Sequence, residues 1–242
     1  MTTREAFLGR VRQELRKTRG SFPATPSARP PDPMAAAEII RRELAERWPE
    51  ALERFRLEFE RVAGVFHRVA TVQDAPAVIG GIARERSASR LVAWSAAAMG
   101  ADLGPDLRRD GLDLTAMPDV AVDAQEARRL REVSAVADIG LTGVDLALAE
   151  TGTLILLSGA GRPRSTSLLP ATHVALFDRR ALIERLAQVG VMLEAWHASD
   201  AVDGVINFIT GPSRTADIEL TLTRGVHGPK EIHAIFVDGG LA

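Results

Sequence analysis

Apolar residues recur every three or four positions near the start of the chain. They predict a short amphipathic helix with Phe7, Leu8, Val11 and Leu15 on its apolar face. A Thr-Thr-Arg-Glu capping box opens this helix, and its other face is strongly basic. The Pro-rich residues 20–33 then predict a semi-rigid linker. We expect the helix to dock on a partner, a sister subunit or the following domain, in preference to a membrane or transit role.

Beyond the linker, residues 34–61 have a helical apolar stripe, with a boundary or kink at Trp48-Pro49. From about Gly64 onward, short apolar runs alternate with helical patterns. The predicted strands are 65–69, 91–94 and 112–116, and the predicted helices are 75–86, 102–109 and 124–133. This alternation is typical of right-handed βαβ units, so we predict an α/β fold with a largely parallel sheet.

The next stretch predicts a hairpin. Residues 144–149 alternate in polarity, and residues 154–157 form a buried apolar run. The turn between them places Glu150, Thr151 and Thr153 at one tight corner. A carboxylate and two hydroxyls beside a glycine suit a substrate or proton site, but they are also ordinary turn residues. Both interpretations stay open.

A basic loop over residues 159–167 precedes a predicted strand over 172–177, which carries His173 near its start. His173 is either a general base or binding residue, or a satisfied half-buried histidine. A helix is predicted over 179–189, and residues 191–196 are a strand or an extension of that helix.

The last informative stretch runs from residue 205 to residue 237. It predicts a strand over 205–209, a break at Gly211-Pro212, a helix that ends at Gly225, and a strand over 232–237. A strand, a glycine turn and a helix start present free backbone N–H groups, which attract anions. The side chains that suit an anion there are Ser213, Arg214, Thr215 and Lys230, with Asp217 in the first helical turn and His227 after the helix.

A structural alternative explains the same residues. Ser213 or Thr215 would cap the helix, and Arg214 would pair with Asp217 one turn further along. The glycine spacing matches neither a Walker A loop nor a dinucleotide fingerprint.

Composition narrows the function. The 242 residues carry a formal net charge of −2 and no cysteine. Disulfides, thiol catalysis and an iron–sulfur cluster on this chain's own thiolates are therefore excluded. The charge favours neither nucleic acid nor a membrane surface, no apolar run is long enough to span a bilayer, and we expect a cytoplasmic protein. His67, His197 and His233 stand outside any metal-binding spacing, so no metal site is predicted.

Three segments together resemble a known family. They are A-D-I-G-L-T-G-V-D-L-A-L-A-E-T-G-T-L (137–154), L-L-P-A-T-H-V-A-L (168–176) and I-T-G-P-S-R-T-A-D-I-E-L-T-L-T-R-G-V-H-G-P-K-E-I-H (209–233). They are similar to the LUD domain, and specifically to the lactate utilisation protein C (LutC or YkgG) family. The resemblance implies a fold like that of NagB, RpiA and CoA-transferase proteins, in a domain covering residues 34–242 after the helix and linker of residues 1–33.

The resemblance also implies a role in oxidising L-lactate to pyruvate together with iron–sulfur partner subunits. It does not identify a cofactor or a settled mechanism, and it leaves open whether this chain turns over a substrate alone or forms a homo-oligomer. The hypothesis is a pocket with candidate catalytic residues and an anion-binding set. The catalytic candidates are His227, His173 and Glu150, and the binding candidates are Thr151, Thr153, Gly211, Ser213, Arg214, Thr215, Asp217 and Lys230.

Two alternatives differ in class. One is a non-catalytic binding or regulatory subunit that holds a phosphorylated metabolite or nucleotide. The other is a transferase or isomerase of the same fold, which fold analogy alone supports only weakly.

Overall fold

The computed structural model describes residues 3–17, 30–199, 204–216 and 222–241. The α-helices are α1 (Arg4–Lys17), α2 (Pro33–Arg61), α3 (Ala75–Glu85), α4 (Ala96–Met99), α5 (Gly104–Arg109), α6 (Ala124–Val136), α7 (Ser165–Leu168) and α8 (Leu186–Ala198). The strands are β1 (Val65–Val69), β2 (Arg90–Ala93), β3 (Asp113–Ala116), β4 (Ile139–Gly143), β5 (Leu146–Leu148), β6 (Thr153–Leu157), β7 (Thr172–Phe177), β8 (Leu182–Ile183), β9 (Ile206–Ile209), β10 (Arg214–Ala216), β11 (Leu222–Arg224) and β12 (Glu231–Val237).

A six-stranded sheet in the order β1-β12-β7-β4-β2-β3 forms the centre of the protein. Each neighbouring pair in it is parallel. The predicted α/β fold with a parallel-rich sheet flanked by helices is therefore confirmed. The chain passes from β2 to β3 on one side and then returns to place β4 on the other side of β2. Such a reversal of strand order opens a crevice at the carboxyl ends of the strands.

A smaller sheet in the order β8-β5-β6-β9 contains the predicted hairpin. Its strands β5 and β6 pair antiparallel, with Leu148 opposite Thr153. The buried strand β4 was not predicted, because its two glycines, Gly140 and Gly143, weaken the strand pattern.

The predicted helix after Gly211-Pro212 is wrong. Residues 214–216 and 222–224 instead form an antiparallel strand pair, in which Arg214 lies opposite Arg224. The sequence of residues 218–223, I-E-L-T-L-T, alternates apolar and polar positions and contains β-branched threonines, which favour a strand. Asp217, which we placed in the first helical turn, lies outside the described residues.

The helix predicted over residues 34–61 is confirmed as α2, which continues through Pro49, so no helix boundary falls at Trp48-Pro49. The ring of Trp48 stacks on Phe236 with centroids 5.8 Å apart. The helix predicted over 179–189 begins later, as α8. Asp178 first accepts a hydrogen bond from the Arg180 backbone N–H and closes a short 3-10 turn, and β8 follows. Residues 191–196 are helical.

The main core lies between α2 and the large sheet. Phe55 and Phe59 of α2 are fully buried, and their rings stack with centroids 5.3 Å apart. Phe55 also meets the edge of Phe177 at 5.3 Å, and Phe177 meets Phe236 at 5.4 Å. Helix α2 is therefore anchored on β7 and β12 by aromatic side chains.

The predicted N-terminal helix is present as α1, and its Phe7 and Val11 are exposed. Residues 18–29, which include most of the predicted linker, lie outside the described residues. Asp32 caps α2 by accepting a hydrogen bond from the Ala35 backbone N–H at 3.0 Å. Among the described residues, no helix is both long and apolar enough to cross a bilayer.

Candidate functional site

Five of the predicted binding and catalytic residues meet where the large sheet begins, at the amino ends of β7 and β12. The Ser213 backbone N–H donates to the Pro229 carbonyl at 2.9 Å, and the Lys230 N–H donates to the Ala171 carbonyl at 2.8 Å. The His227 N–H donates to Ser213 Oγ at 3.3 Å. We call the group formed by Gly211, Ser213, Arg214, His227 and Lys230 the Arg214 corner.

The Arg214 corner packs on the end of α2. The Arg214 guanidinium donates to the Val62 carbonyl at 2.8 Å, which satisfies one of the carbonyls that a helix end leaves unpaired. Gly211 has a φ of 77°, and a Cβ there would lie 2.4 Å from the same carbonyl oxygen. A residue with a Cβ would be strained at this φ and would overlap the Val62 carbonyl, so the turn requires glycine. This turn lets Arg214 come close to the end of α2.

The predicted helix start, which would leave backbone N–H groups free to bind an anion, is absent from residues 213–216. The Ser213 N–H is already bonded to Pro229. An anion at this corner would therefore be held by side chains, chiefly the cationic groups of Arg214 and Lys230. The backbone of Thr215 lies in β10, between Arg214 and the end of the strand.

A chain of hydroxyls joins the predicted hairpin corner to the Arg214 corner. Thr151 Oγ1 lies 2.6 Å from Thr153 Oγ1, which lies 2.8 Å from Thr210 Oγ1. Thr210 directly precedes Gly211. The structure thus brings Thr151 and Thr153 next to the Arg214 corner, as the hypothesis of a shared site requires.

Gly152, between these threonines, fits closely against α2. Its φ is 61°, and a Cβ there would lie 2.3 Å from the backbone nitrogen of Phe59.

We expect Gly152→Ala to lower the free energy of unfolding by about 2 to 3 kcal/mol, because alanine is strained at a positive φ and its Cβ would overlap the backbone of α2. In Gly81→Ala the new Cβ has nothing within 4 Å inside α3, and this control should raise the free energy by about 0.5 to 1 kcal/mol. Urea unfolding of both variants checks the pair, and equal effects would contradict the packing.

Glu150 has a different partner. Its carboxylate accepts a hydrogen bond from the Leu186 backbone N–H at 2.7 Å, at the first turn of α8. A carboxylate at that position also suits the positive end of the helix dipole. In this structure Glu150 therefore caps α8.

His173 is buried inside the sheet. Its side chain has no exposed surface, and its Nε2 lies 2.8 Å from Thr142 Oγ1. Its Nδ1 has no hydrogen-bond partner. Burial lowers the pKa of His173 to about 3, with a further contribution from His233, so the imidazole is neutral near pH 7. Of the two predicted histidines, only His227 is exposed.

The imidazoles of His67 and His233 are in contact. The sequence did not predict this contact, because the two residues are 166 positions apart. The parallel pairing of β1 with β12 places His67 Nε2 3.0 Å from His233 Nδ1, with stacked rings. Burial lowers the pKa of His233 to about 4, helped by His67 and opposed by Glu231, and burial also lowers the pKa of His67. The described residues contain no group of three histidine, aspartate or glutamate side chains that could hold a metal ion.

A cleft of about 960 Å³ lies elsewhere, beside α6 and α7. It starts at Met117, directly after β3, and its walls come from the loop after β3, the loop after β6 and the residues before β9. We call it the Arg164 cleft. We did not predict it, although the basic G-A-G-R-P-R segment (159–164) that forms one wall was visible as a loop.

The loop that carries Arg164 is fixed to the end of β2. The Trp94 indole N–H donates to the Pro163 carbonyl at 3.2 Å, and the Ser95 N–H donates to the Gly161 carbonyl at 3.0 Å. Gly161 has a φ of 70°, and a Cβ there would lie 2.6 Å from Ser95 Oγ. These contacts place Arg164 at the wall of the cleft.

An ion pair anchors the same loop from below. Arg162 donates to Asp145 Oδ1 at 2.9 Å, and the Leu157 N–H donates to Asp145 Oδ2 at 2.7 Å. Burial raises the pKa of Asp145 above its usual value, although the Leu157 amide and the Arg162 guanidinium both oppose the shift. The Asp145 side chain therefore has its partners within the protein.

Residues 52–237 match the family model of the LUD domain. This chain belongs to the LUD domain family. A protein named Lactate utilization protein C from Halalkalibacterium halodurans is 41% identical over 156 residues, which cover 62% of this chain and 64% of that relative. Another with that name, from Shouchella clausii, is 40% identical over 116 residues, covering 48% and 51%. The matches thus span about half to two thirds of these relatives.

A solved structure is also similar to this LUD domain. It is the crystal structure of a DUF162 family protein from Deinococcus radiodurans, with a TM-score of 0.53 and 25% sequence identity. The similarity covers 78% of this chain and 98% of that one. Both the Arg214 corner and the Arg164 cleft lie inside the matched residues of the LUD domain, whereas α1 lies before them.

Proposed function

We propose that this LUD domain chain is a component of an L-lactate utilisation system that oxidises lactate to pyruvate together with iron–sulfur partner subunits. The observation that carries the proposal is the family match, with relatives named Lactate utilization protein C at about 40% identity. This sequence has no cysteine. Any thiolate-bound cluster that accepts the two electrons of lactate oxidation would therefore belong to a partner.

We further propose that the Arg214 corner binds the carboxylate of the substrate. A guanidinium presents a planar fork of donors that matches a carboxylate, and the exposed Lys230 of the same corner carries a second positive charge. Gly225 places the Lys230 side chain, since a Cβ at Gly225 would lie 2.1 Å from Lys230 Cγ. Ser213, Thr151 and Thr153 supply hydroxyls beside the cations.

Among the candidate catalytic residues, we propose His227 as the base that takes the hydroxyl proton of lactate. The C2 hydrogen of lactate leaves with its electron pair to an acceptor that a partner subunit or a bound cofactor supplies. Its imidazole is exposed at the corner, as a group that meets a substrate must be. Glu150 and His173 already have other contacts, to α8 and to Thr142. We assign these two residues the roles of positioning the hairpin corner and packing the sheet beneath it.

A second candidate function follows from the openness of the same corner. Arg214 and His227 are exposed, and Glu150 and His173 are held elsewhere, so the corner also suits a binding or regulatory subunit without turnover of its own. Its ligand would be a phosphorylated metabolite or nucleotide, because arginine and lysine side chains also bind phosphate.

The Arg214→Ala variant tests the binding site. We expect its affinity for L-lactate or pyruvate to fall about tenfold or more, because a charge-assisted hydrogen bond contributes about 1.5 to 3 kcal/mol. Calorimetric titration of the folded chain, alone and with the iron–sulfur subunits, measures the change. The control is Arg61→Ala, which removes an exposed arginine at the end of α2 that is bonded to Glu58. Full binding by Arg214→Ala would remove this residue from the site.

Growth on L-lactate tests the function separately from the site. We would express the chain in a Halalkalibacterium halodurans strain whose own Lactate utilization protein C has been deleted, with L-lactate as the sole carbon source. Restored growth and co-purification with iron–sulfur subunits support the proposal. Restored growth that survives His227→Ala favours the binding subunit, and failure of the wild-type chain to restore growth contradicts both versions.

A further inference from the structure

The Arg164 cleft has the dimensions of a ligand site. Pockets that bind cofactor-sized or drug-sized molecules enclose about 300 to 1,000 Å³, and this cleft of about 960 Å³ stands at the upper end of that range. It begins at the carboxyl end of β3, beside the reversal of strand order at β2 and β4. Open α/β sheets bind their ligands in such crevices. L-lactate, with six heavy atoms, would occupy only a small part of it.

The lining of the cleft is mainly apolar. Met117 and Leu130 are buried in a small apolar cluster next to α6 and form its floor. At the rim, Val120, Leu169 and Val205 are 69%, 45% and 48% exposed. Large apolar side chains left exposed around one concavity indicate a surface that contacts an apolar group. The occupant therefore has an apolar body.

Two positive charges complete the lining. Arg131 of α6 and Arg164, directly before α7, are exposed residues of the lining, and neither has a carboxylate partner among the described residues. The two helices meet here, where Ser134 Oγ lies 3.3 Å from Ser165 Oγ.

In the described part of the chain the lining itself contains no aspartate or glutamate, and the nearest carboxylate to be named is that of Asp119, which lies beside Gly161 of the lining. By contrast, Arg129 on the same helix is bonded to Glu126. The two unpaired guanidiniums select for a negative charge on the occupant.

We propose that the Arg164 cleft is a second binding site of this chain, and that it takes an organic anion of cofactor size with an apolar body and a carboxylate, phosphate or sulfonate group. The apolar body lies on Met117 and Leu130, and the anionic group lies between Arg131 and Arg164. Ser158 and Ser165 provide hydroxyls on the same walls. This inference does not depend on the Arg214 corner, because the two sites share no residue.

The probe for the test is 8-anilinonaphthalene-1-sulfonate, an aromatic body with one fixed negative charge, titrated by fluorescence into the full chain. We expect saturable binding at one site. In the double variant Arg131→Gln/Arg164→Gln the affinity should fall about tenfold or more, because a charge-assisted contact is lost. The uncharged analogue N-phenyl-1-naphthylamine should bind the wild type and the double variant within about twofold of each other, since its contacts are apolar.

Two further variants separate charge from shape. Ala160→Trp places an indole in the mouth of the cleft without removing a charge, and it should weaken both probes about tenfold. Ala45→Trp adds the same group to an exposed position of α2, outside the cleft, and Arg128→Gln removes an arginine of α6 that does not line it. Both controls should keep wild-type affinity, and circular dichroism checks that every variant is folded.

The outcomes are distinct. Saturable binding that Arg131→Gln/Arg164→Gln weakens only for the charged probe supports the proposal. Absence of saturable binding, equal binding by all variants, or equal weakening of both probes in the arginine double variant overturns it. L-lactate should not displace the probe at concentrations that saturate the Arg214 corner. Displacement of the probe by L-lactate would show that L-lactate occupies the Arg164 cleft, and would overturn the proposal of a second, separate site.

Discussion

Replacing Phe55 with alanine is expected to lower the free energy of unfolding by about 4 kcal/mol, within the range of buried phenylalanine truncations. Phe55 is fully buried and contacts the rings of Phe59, Phe66 and Phe177. Its removal would leave a cavity between α2 and the sheet, because three surrounding aromatic rings cannot all move into the space. Urea unfolding followed by circular dichroism measures the loss.

Leu57→Ala is the matched control, two residues further along α2. Leu57 is 50% exposed, so we expect its truncation to change the free energy of unfolding by no more than about 0.5 kcal/mol. Phe55→Leu keeps most of the apolar volume and gives a measurable value if Phe55→Ala does not fold. A loss below about 1 kcal/mol in Phe55→Ala would contradict the packing of α2 on β7 and β12.

Lowering the pH from 7.5 to 5 is expected to reduce the free energy of unfolding by about 4 kcal/mol. The cause is two buried imidazoles that stay neutral in the folded protein and become protonated in the unfolded chain. Burial lowers the pKa of His173 to about 3 and that of His233 to about 4, whereas both titrate near 6.5 when unfolded. As the pH falls below 6.5 the unfolded chain binds protons first, so stability falls until the folded pKa values are reached. Above about pH 7.5 these imidazoles contribute almost no pH dependence, because they are neutral in both the folded and the unfolded chain.

The double variant His173→Leu/Thr142→Val removes the His173 imidazole and so measures its share of the pH dependence. It also removes the Thr142 hydroxyl, which would otherwise lose its partner. We expect the loss between pH 7.5 and pH 5 to shrink by about 2 kcal/mol, which is one imidazole over 1.5 pH units. Thr142→Val alone keeps His173 buried and should keep the full loss. Unfolding curves at several pH values between 7.5 and 5 give these slopes, and an unchanged slope in the double variant would show that His173 is protonated in the folded state.

The sequence predicted the large sheet well because its strands are short apolar runs separated by helical patterns. Strands such as β7 and β12 are buried along most of their length, and a continuous apolar run indicates such a strand. The pattern failed where two periods overlapped. Residues 214–216 and 222–224 are strands, whereas the acidic residues after Ala216 and the glycine at position 225 are the start and stop signals of a helix.

The candidate site was predictable only where its residues are neighbours in the chain. Thr151 and Thr153 lie in one turn and Ser213 and Arg214 in another, and each pair was identified within its own segment. The contact of Thr153 with Thr210, which links the two segments, was not predicted. Contacts such as His67 with His233 depend on strand order, which local patterns do not determine. The Arg164 cleft depends on the meeting of five separate loops and helices, and each of its residues is ordinary in its own segment.

The position of β12 between β1 and β7 has a consequence for the order in which the protein is made. Strand β1 lies at the edge of the sheet, and its neighbour among the strands that the structure describes is β12, which follows all of them in sequence. A ribosome releases the chain from its N-terminus, so residues 65–69 wait through the synthesis of most of the domain before their partner appears. Until residues 231–237 emerge, β7 exposes an unpaired edge, and the nascent chain depends on chaperones or on fast completion to avoid pairing with other chains.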